Sequence, residues 1–284
     1  MTGTSSVALP RSVRLALWLT AASRRGGPGG PSDHAERVAA AVRGDDEPHD
    51  LYVPGDTVPE SGPAAFLASD GSAFRRTVEG WIAHGYAAVA LLPPPGDADG
   101  LPVMVPDRAV EAGECVLLTC GTHHAVAVPD VVEFGSVWER GHCVTWHVTE
   151  TGPWAHRFFD AVGTLADAEN AMRHAVIQAT GALVDLDVAS WREDAAREID
   201  HLRSGLVPAW DLPEDVPQRN VTVLTMAARL RAIVALATQN DGGATNLWQA
   251  DQRTTALREV ERAARRALSA ATFLPADDVD VTHL

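Results

Sequence analysis

A chain of 284 residues, 46% of them hydrophobic, carries enough apolar side chains for one large or two ordinary domains. Its 38 acidic against 23 basic side chains set a formal net charge of -15, with the acidic excess in both halves, so nucleic acids and anionic membranes would meet a repulsive surface. Every basic side chain is an arginine; without lysine there is no Schiff-base amine, no Walker-type phosphate lysine and no Ser-Lys dyad.

From the N-terminus, "RSVRLALWLTAAS" holds an apolar run of the length of a buried strand, and we read Val13 to Ala21 as the first strand. "RRGGPGGPSD" then reads as a loop whose Ser32 or Asp33 caps a helix to about Val42. Its glycines lack the G-x-G-x-x-G spacing of a dinucleotide site, so a plain connection is the better reading. "HDLYV" is a short strand candidate, and "PGDTVPESGP" is loop. Ser72 to His84 places Phe74, Val78 and Trp81 on one helical face, and Gly85 ends that helix. "YAAVALL" is apolar throughout, as a strand covered on both faces would be.

Between Glu114 and Thr149 four short β-branched stretches, "ECVLLTC", "HHAVAV", "VVEFG" and "CVTWHV", alternate with turn residues and predict an antiparallel meander. Gly121 and Thr122 form a two-residue hairpin loop with glycine where a type II′ turn needs positive φ. Cys120 then opposes His123 on one face, Thr119 opposes His124 on the other, and Cys115 and Cys120 point to opposite sides. By the same alternation His142, Val144, Trp146 and Val148 share one face, while Cys143, Thr145 and His147 share the other.

Beyond Gly152 strand signals vanish. Helices are expected over Trp154 to about Leu183, Ala189 to Arg203, Val221 to Thr238 and Leu247 to Ala271. The third is apolar around most of its circumference and should be buried; the fourth is amphipathic, with Arg258, Arg262, Arg265 and Arg266 on its outer side. We therefore expect an α+β protein: a mixed domain over residues 1–150 ending in hairpins, a helical domain over 151–274, and an acidic tail over 275–284.

The candidate ligand-binding residues are Cys120, His123, His142 and Trp146, since soft ligands and a large aromatic gather on the meander. The competing reading is a hairpin with a core cysteine and a hydrogen-bonded histidine, which the lack of C-x-x-C or H-x-x-x-H spacing favours. The single Glu-x-x-His, Glu198 to His201, falls short of the two such motifs that a di-metal bundle requires. No cofactor fingerprint and no complete metal set is present.

Three cysteines at irregular spacing argue against a disulfide framework and for a reducing, cytoplasmic compartment, and no stretch reads as a membrane span. Four stretches, "SVRLALWLTAA", "LLPPPGDADGLP", "AGECVLL" and "GGATNLWQADQRTTALREVERAARRAL", are similar to a group of soluble proteins from high-GC actinobacteria that have no assigned activity. That resemblance implies a host and no mechanism. The function expected from the sequence is binding or assembly with a protein or small-molecule partner, homo-oligomerisation being left open. The alternative is a hydrolase or metal-dependent enzyme with a Cys/His site on the meander.

Overall fold

The computed structural model describes residues 7–24, 30–53, 70–93, 105–136, 139–185, 210–239 and 247–274, without the side chains of 181–185, 239 and 247–250. The expected helix over Ala189 to Arg203 with its Glu198 and His201, the glycines of "RRGGPGGPSD" up to Gly29 and the acidic tail lie outside the described residues. The architecture is α+β. Among the described residues two compact units emerge: those within 10–161, 211–216 and 272–274 form a sheet unit, and those within 7–9, 162–185, 210 and 217–271 form a helical unit.

The sheet unit opens with a helix where a strand was expected: α1 covers Arg11–Arg24. A nearly continuous apolar run fits a buried strand or a buried helix equally well by periodicity. Here leucine and alanine predominate over β-branched residues, and Val13, Leu15, Ala16, Leu17, Leu19 and Ala21 are all buried, so the helix is covered around much of its girth. Glu114 caps it from afar, its Oε2 accepting both the N–H and the hydroxyl of Ser12 at 2.8 Å. Next come α2 (Pro31–Arg43), β1 (Asp50–Tyr52), α3 (Ser72–Ala83), β2 (Ala87–Leu91), α4 (Asp107–Ala112), β3 (Cys115–Cys120), β4 (His123–Ser136), β5 (Glu139–Glu150) and α5 (Ala155–Val162).

The five strands lie in the order β1-β5-β4-β3-β2; β2 to β5 form the antiparallel meander and β1 joins β5 in parallel. "HHAVAV" and "VVEFG", two stretches in the sequence reading, are one strand. Pro129 falls inside it without breaking it because it lies past Ala127, where the β3 register ends, so no neighbour on that side needs its missing N–H. The β3–β4 hairpin has the register read from the turn, Cys120 opposite His123 and Thr119 opposite His124, with Gly121 at φ 57°.

β2 is an edge strand, yet Ala88, Val89, Ala90 and Leu91 are buried. Its outward backbone groups are satisfied by side chains. Thr20 on α1 accepts the Ala88 N–H and donates to the Ala88 carbonyl, both at 3.0 Å, and Thr272 accepts the Ala90 N–H at 2.9 Å. The exposed-edge problem of an open sheet is thereby solved with hydroxyls that imitate a sixth strand.

The helical unit contains α6 (Leu165–Asp185), α7 (Gln218–Gln239) and α8 (Leu247–Thr272). Asn220 of α7 donates to the Ala271 carbonyl at 2.9 Å, Arg231 of α7 pairs with Glu261 of α8 at 3.0 Å, and Arg219 meets Glu169 of α6. The expected all-round burial of α7 is not observed: Met226 is 53% exposed. Contrary to the sequence reading, one segment, Gln218–Thr238, is long and apolar enough to cross a membrane, with a mean hydropathy of 1.6. Arg229 and Arg231 interrupt it at mid-length, and the pairing of Arg231 with Glu261 sets that side of the helix against α8. The last turns of α8 are buried from Ala267 to Ala271, so that helix is surface-lying only in its earlier part.

Replacing Thr20 with valine keeps the shape and removes both edge hydrogen bonds. Urea unfolding should show a loss on the order of 1–3 kcal/mol. Thr238→Val, whose hydroxyl bonds only the Val234 carbonyl of its own helix, should be near neutral by the same measurement.

Candidate functional site

Register and alternation place Cys120, His123, Trp146 and His142 on one face of the sheet, but not together. His142 opposes Glu133 and Trp146 opposes Pro129, ten and six positions along β4 from His123. At ~3.3 Å per residue these are separations of roughly 33 and 20 Å, so the four candidates do not form one site. Cys120 is half-buried and donates its thiol hydrogen to the His84 carbonyl at 3.0 Å. His123 is exposed at the hairpin tip, and His124, on the other face, meets the Thr119 hydroxyl at 3.0 Å. Cys115 and Cys143 are buried, and burial pushes both thiols above their usual range, which leaves them poor nucleophiles. Among the described residues no group of three or more His, Cys, Asp or Glu side chains is placed to hold a metal ion.

The polar cluster that does converge was missed in the sequence. Its centre is Asp46, in the turn after α2, with a side chain 7% exposed. Arg11 of α1 binds it through two nitrogens, Nε to Oδ2 at 2.6 Å and Nη2 to Oδ1 at 2.7 Å. His49 brings Nε2 to Oδ2 at 3.4 Å, and His142 of β5 brings Nδ1 to Oδ1 at 3.4 Å. The Glu47 N–H donates to the His142 carbonyl at 3.0 Å, stitching the turn to β5. Behind His49 the Trp146 indole N–H donates to Nδ1 at 3.1 Å, and Phe74 stacks on Trp146 at 6.0 Å. Only the three-residue spacing of Asp46 and His49 in "DDEPHD" was a local signal; Arg11 and Trp146 arrive from far along the chain.

This bonding assigns the proton on His49. Nδ1 accepts from the indole, so Nε2 carries the hydrogen and points it at Asp46. Burial holds His49 below its ordinary value of 6.5, with the Asp46 carboxylate opposing and Arg11 and Arg14 assisting. Burial would raise Asp46, but hydrogen bonds from His49 and Arg11 outweigh it and hold the carboxyl well below the usual range. Since both nitrogens of His49 are engaged, neither is free to take a proton from a nucleophile or from water.

One cleft borders this network. It lies between α2 and α3, has a volume of about 100 Å³, and is walled by Ala39 and Ala40, by Pro48 and His49, and by Phe74 and Gly71, with Glu36, Arg43, Asp70 and Arg75 also lining it.

Both shifts have the same sign for stability. A histidine held neutral contributes above its ordinary value, and that contribution is lost as pH falls below 6.5 toward the folded value; a carboxylate held ionised loses its contribution as pH falls below 3.8. The unfolding free energy should therefore decline between pH 7 and 5 and again below pH 4, as followed by urea denaturation. His49→Gln removes the titrating ring. It should cost about 1–3 kcal/mol at pH 7 and flatten the decline between pH 7 and 5. An equally steep decline in the variant would contradict the assignment of His49 as the titrating group.

Family models match both parts of the chain: the N-terminal domain of Rv1486c-like proteins over residues 12–159 and the C-terminal domain of Rv1486c-like proteins over residues 166–269. No curated protein and no solved structure matches. With the N-terminal model alone spanning more than half of the sequence, the chain belongs to the Rv1486c-like protein family.

Proposed function

We propose that this protein acts by binding and carries out no catalysis of its own. The observation that supports this reading is the state of His49: among the described residues it is the one buried histidine oriented by a carboxylate, the arrangement from which a general base is built, and its remaining nitrogen is occupied by the Trp146 indole N–H. An indole nitrogen can only donate, so the Asp46–His49–Trp146 chain has no nucleophile at its end. On the meander, the Cys120 thiol is turned to the His84 carbonyl, about 30 Å from His142 by strand spacing.

The partner on this reading is a small molecule or a protein. The net charge of -15 disfavours nucleic acid and anionic membranes, and three free thiols fit a reducing cytoplasm. An actinobacterial host accords with the mycobacterial locus tag in the family name. The two-domain organisation of the sequence reading belongs to the same proposal, with the family models ending and beginning on either side of residues 160–165.

The test is turnover by the purified full chain. With p-nitrophenyl acetate, p-nitrophenyl phosphate and a fluorogenic peptide, with and without added zinc or manganese, the rate should equal that of buffer. Turnover that Cys120→Ala or His123→Ala abolishes and His49→Gln retains would overturn the proposal in favour of a hydrolase or metal-dependent enzyme on the meander.

A further inference from the structure

We propose that the sheet face shared by β1, β5 and β4 carries a site for a primary ammonium group, an inference that rests on the binding reading above. Strand register lines up its members: Asp50 of β1 and Asp130 of β4 both pair with Thr145 of β5, one from each side, so two carboxylates flank one hydroxyl. On the next rung Tyr52 pairs with His147, and alternation puts all five side chains on the face opposite Trp146. With neighbouring strands ~4.8 Å apart, the two aspartate Cα atoms lie roughly 10 Å from each other, a gap that one nitrogen bonded to both carboxylates can bridge.

What points to a ligand is the state of the two inner groups. Thr145 is 7% exposed and its Oγ1 has no hydrogen-bond partner among the described residues; Nδ1 of His147 is likewise buried and unpartnered. Valine would fill position 145 with nearly the same shape and leave nothing unpaired, so a hydroxyl there costs stability unless something meets it. His147 turns Nε2 toward Asp130 Oδ2 at 3.7 Å, which favours the proton on that nitrogen and leaves Nδ1 a lone pair. Burial holds the ring below its ordinary value of 6.5, with Arg108 assisting and Asp130 opposing, so it is neutral at pH 7. The inventory is therefore almost all acceptor: two carboxylates, an imidazole nitrogen and a hydroxyl that can turn either way. Its complement is a cation with several N–H donors, and the Tyr52 ring, 5.1 Å from that of His147, adds an aromatic face for it. A metal ion is the poorer fit, since among the described residues no three His, Cys, Asp or Glu side chains converge to hold one. Arg108 opposes any cation here, but two carboxylates outnumber it and the net charge of -15 adds to their field. Asp130 is the exposed lip, its side chain 59% open to solvent, and entry proceeds by rotation of that carboxylate.

Binding is measured by titrating n-propylammonium chloride into the full-length isotope-labelled chain and following the amide resonances of Asp50, Thr145 and His147. Tetramethylammonium and calcium chlorides serve as comparison probes at matched ionic strength. Saturable shifts centred on these residues are expected for propylammonium, while tetramethylammonium, which carries the charge without N–H donors, should bind at least about tenfold more weakly. Asp130→Asn should weaken the affinity about tenfold or more, and Asp160→Asn, at an exposed position of α5, should leave it unchanged. Thr145→Val separates a ligand site from an incidental unpaired hydroxyl: it should weaken binding and at the same time raise the thermal midpoint of the ligand-free chain by about 2–4 °C. Shifts that do not saturate, equal or tighter binding of tetramethylammonium or calcium, an Asp130→Asn affinity equal to that of the parent, or a Thr145→Val chain with full affinity or a lowered midpoint would each overturn the assignment. Those failures concern the ammonium site; failure of the binding reading itself would appear separately, as turnover of the ester, phosphate or peptide probes.

Discussion

The Asp46 carboxylate is the constraint on which the sheet unit depends. It is nearly inaccessible to solvent, so its charge must be met by protein groups, and it is met from three directions: Arg11 at the head of α1, His49 before β1, and His142 on β5. A buried ion pair is weak evidence of net stability when compared with an apolar pair of equal volume, but losing one partner strands the other at a cost of about 3–5 kcal/mol. The network therefore acts chiefly as a specifier. Only one arrangement of α1, the turn after α2 and β5 lets the carboxylate keep both of its Arg11 bonds and its histidine neighbours.

From that centre the order of the neighbouring groups follows. With Asp46 holding Nε2–H of His49, Nδ1 becomes an acceptor, and a buried acceptor requires a donor; Trp146 supplies it and is thereby fixed in rotation. Trp146 in turn presents a flat face to Phe74, with only 15° between the rings, which seats α3 on the sheet. The same chain of bonds explains why an aspartate–histidine pair, often the mark of acid–base chemistry, is structural here. A hydroxyl at the end of the chain could have been activated, whereas an indole can only be held.

Two devices finish the sheet. Thr20 and Thr272 satisfy the outward groups of β2, and Phe134 lies over Gly141 so closely that a Cβ at position 141 would come within 2.4 Å of the ring. Both are contacts between a side chain and a backbone group at a defined place. Neither has a periodic signature, because a threonine in a helix or a glycine in a strand is common in sequences where it does nothing of the kind.

What the sequence by itself determined is what short-range backbone geometry controls. The hairpin register followed from Gly121 and from strand alternation, which also separated Cys115 from Cys120 and Cys143 from His142; the helices at Ser72 and Val221 followed from their apolar spacing. Local geometry did not decide α1, since a run apolar on nearly all sides has no face by which helix and strand can be told apart, nor did it show that β4 continues through Pro129, since that depends on where β3 ends. The candidate residues were gathered because they lie on one meander, and neither residue type nor alternation carries distance along a strand, so the separation of Cys120 from His142 by the length of the meander was not legible. The Asp46 cluster and the cleft beside it were decided by tertiary structure, because Arg11, Asp46, His142 and Trp146 meet only when a helix, a turn and a strand distant in the chain pack together, and that proximity is set by long-range burial rather than by any spacing in the chain.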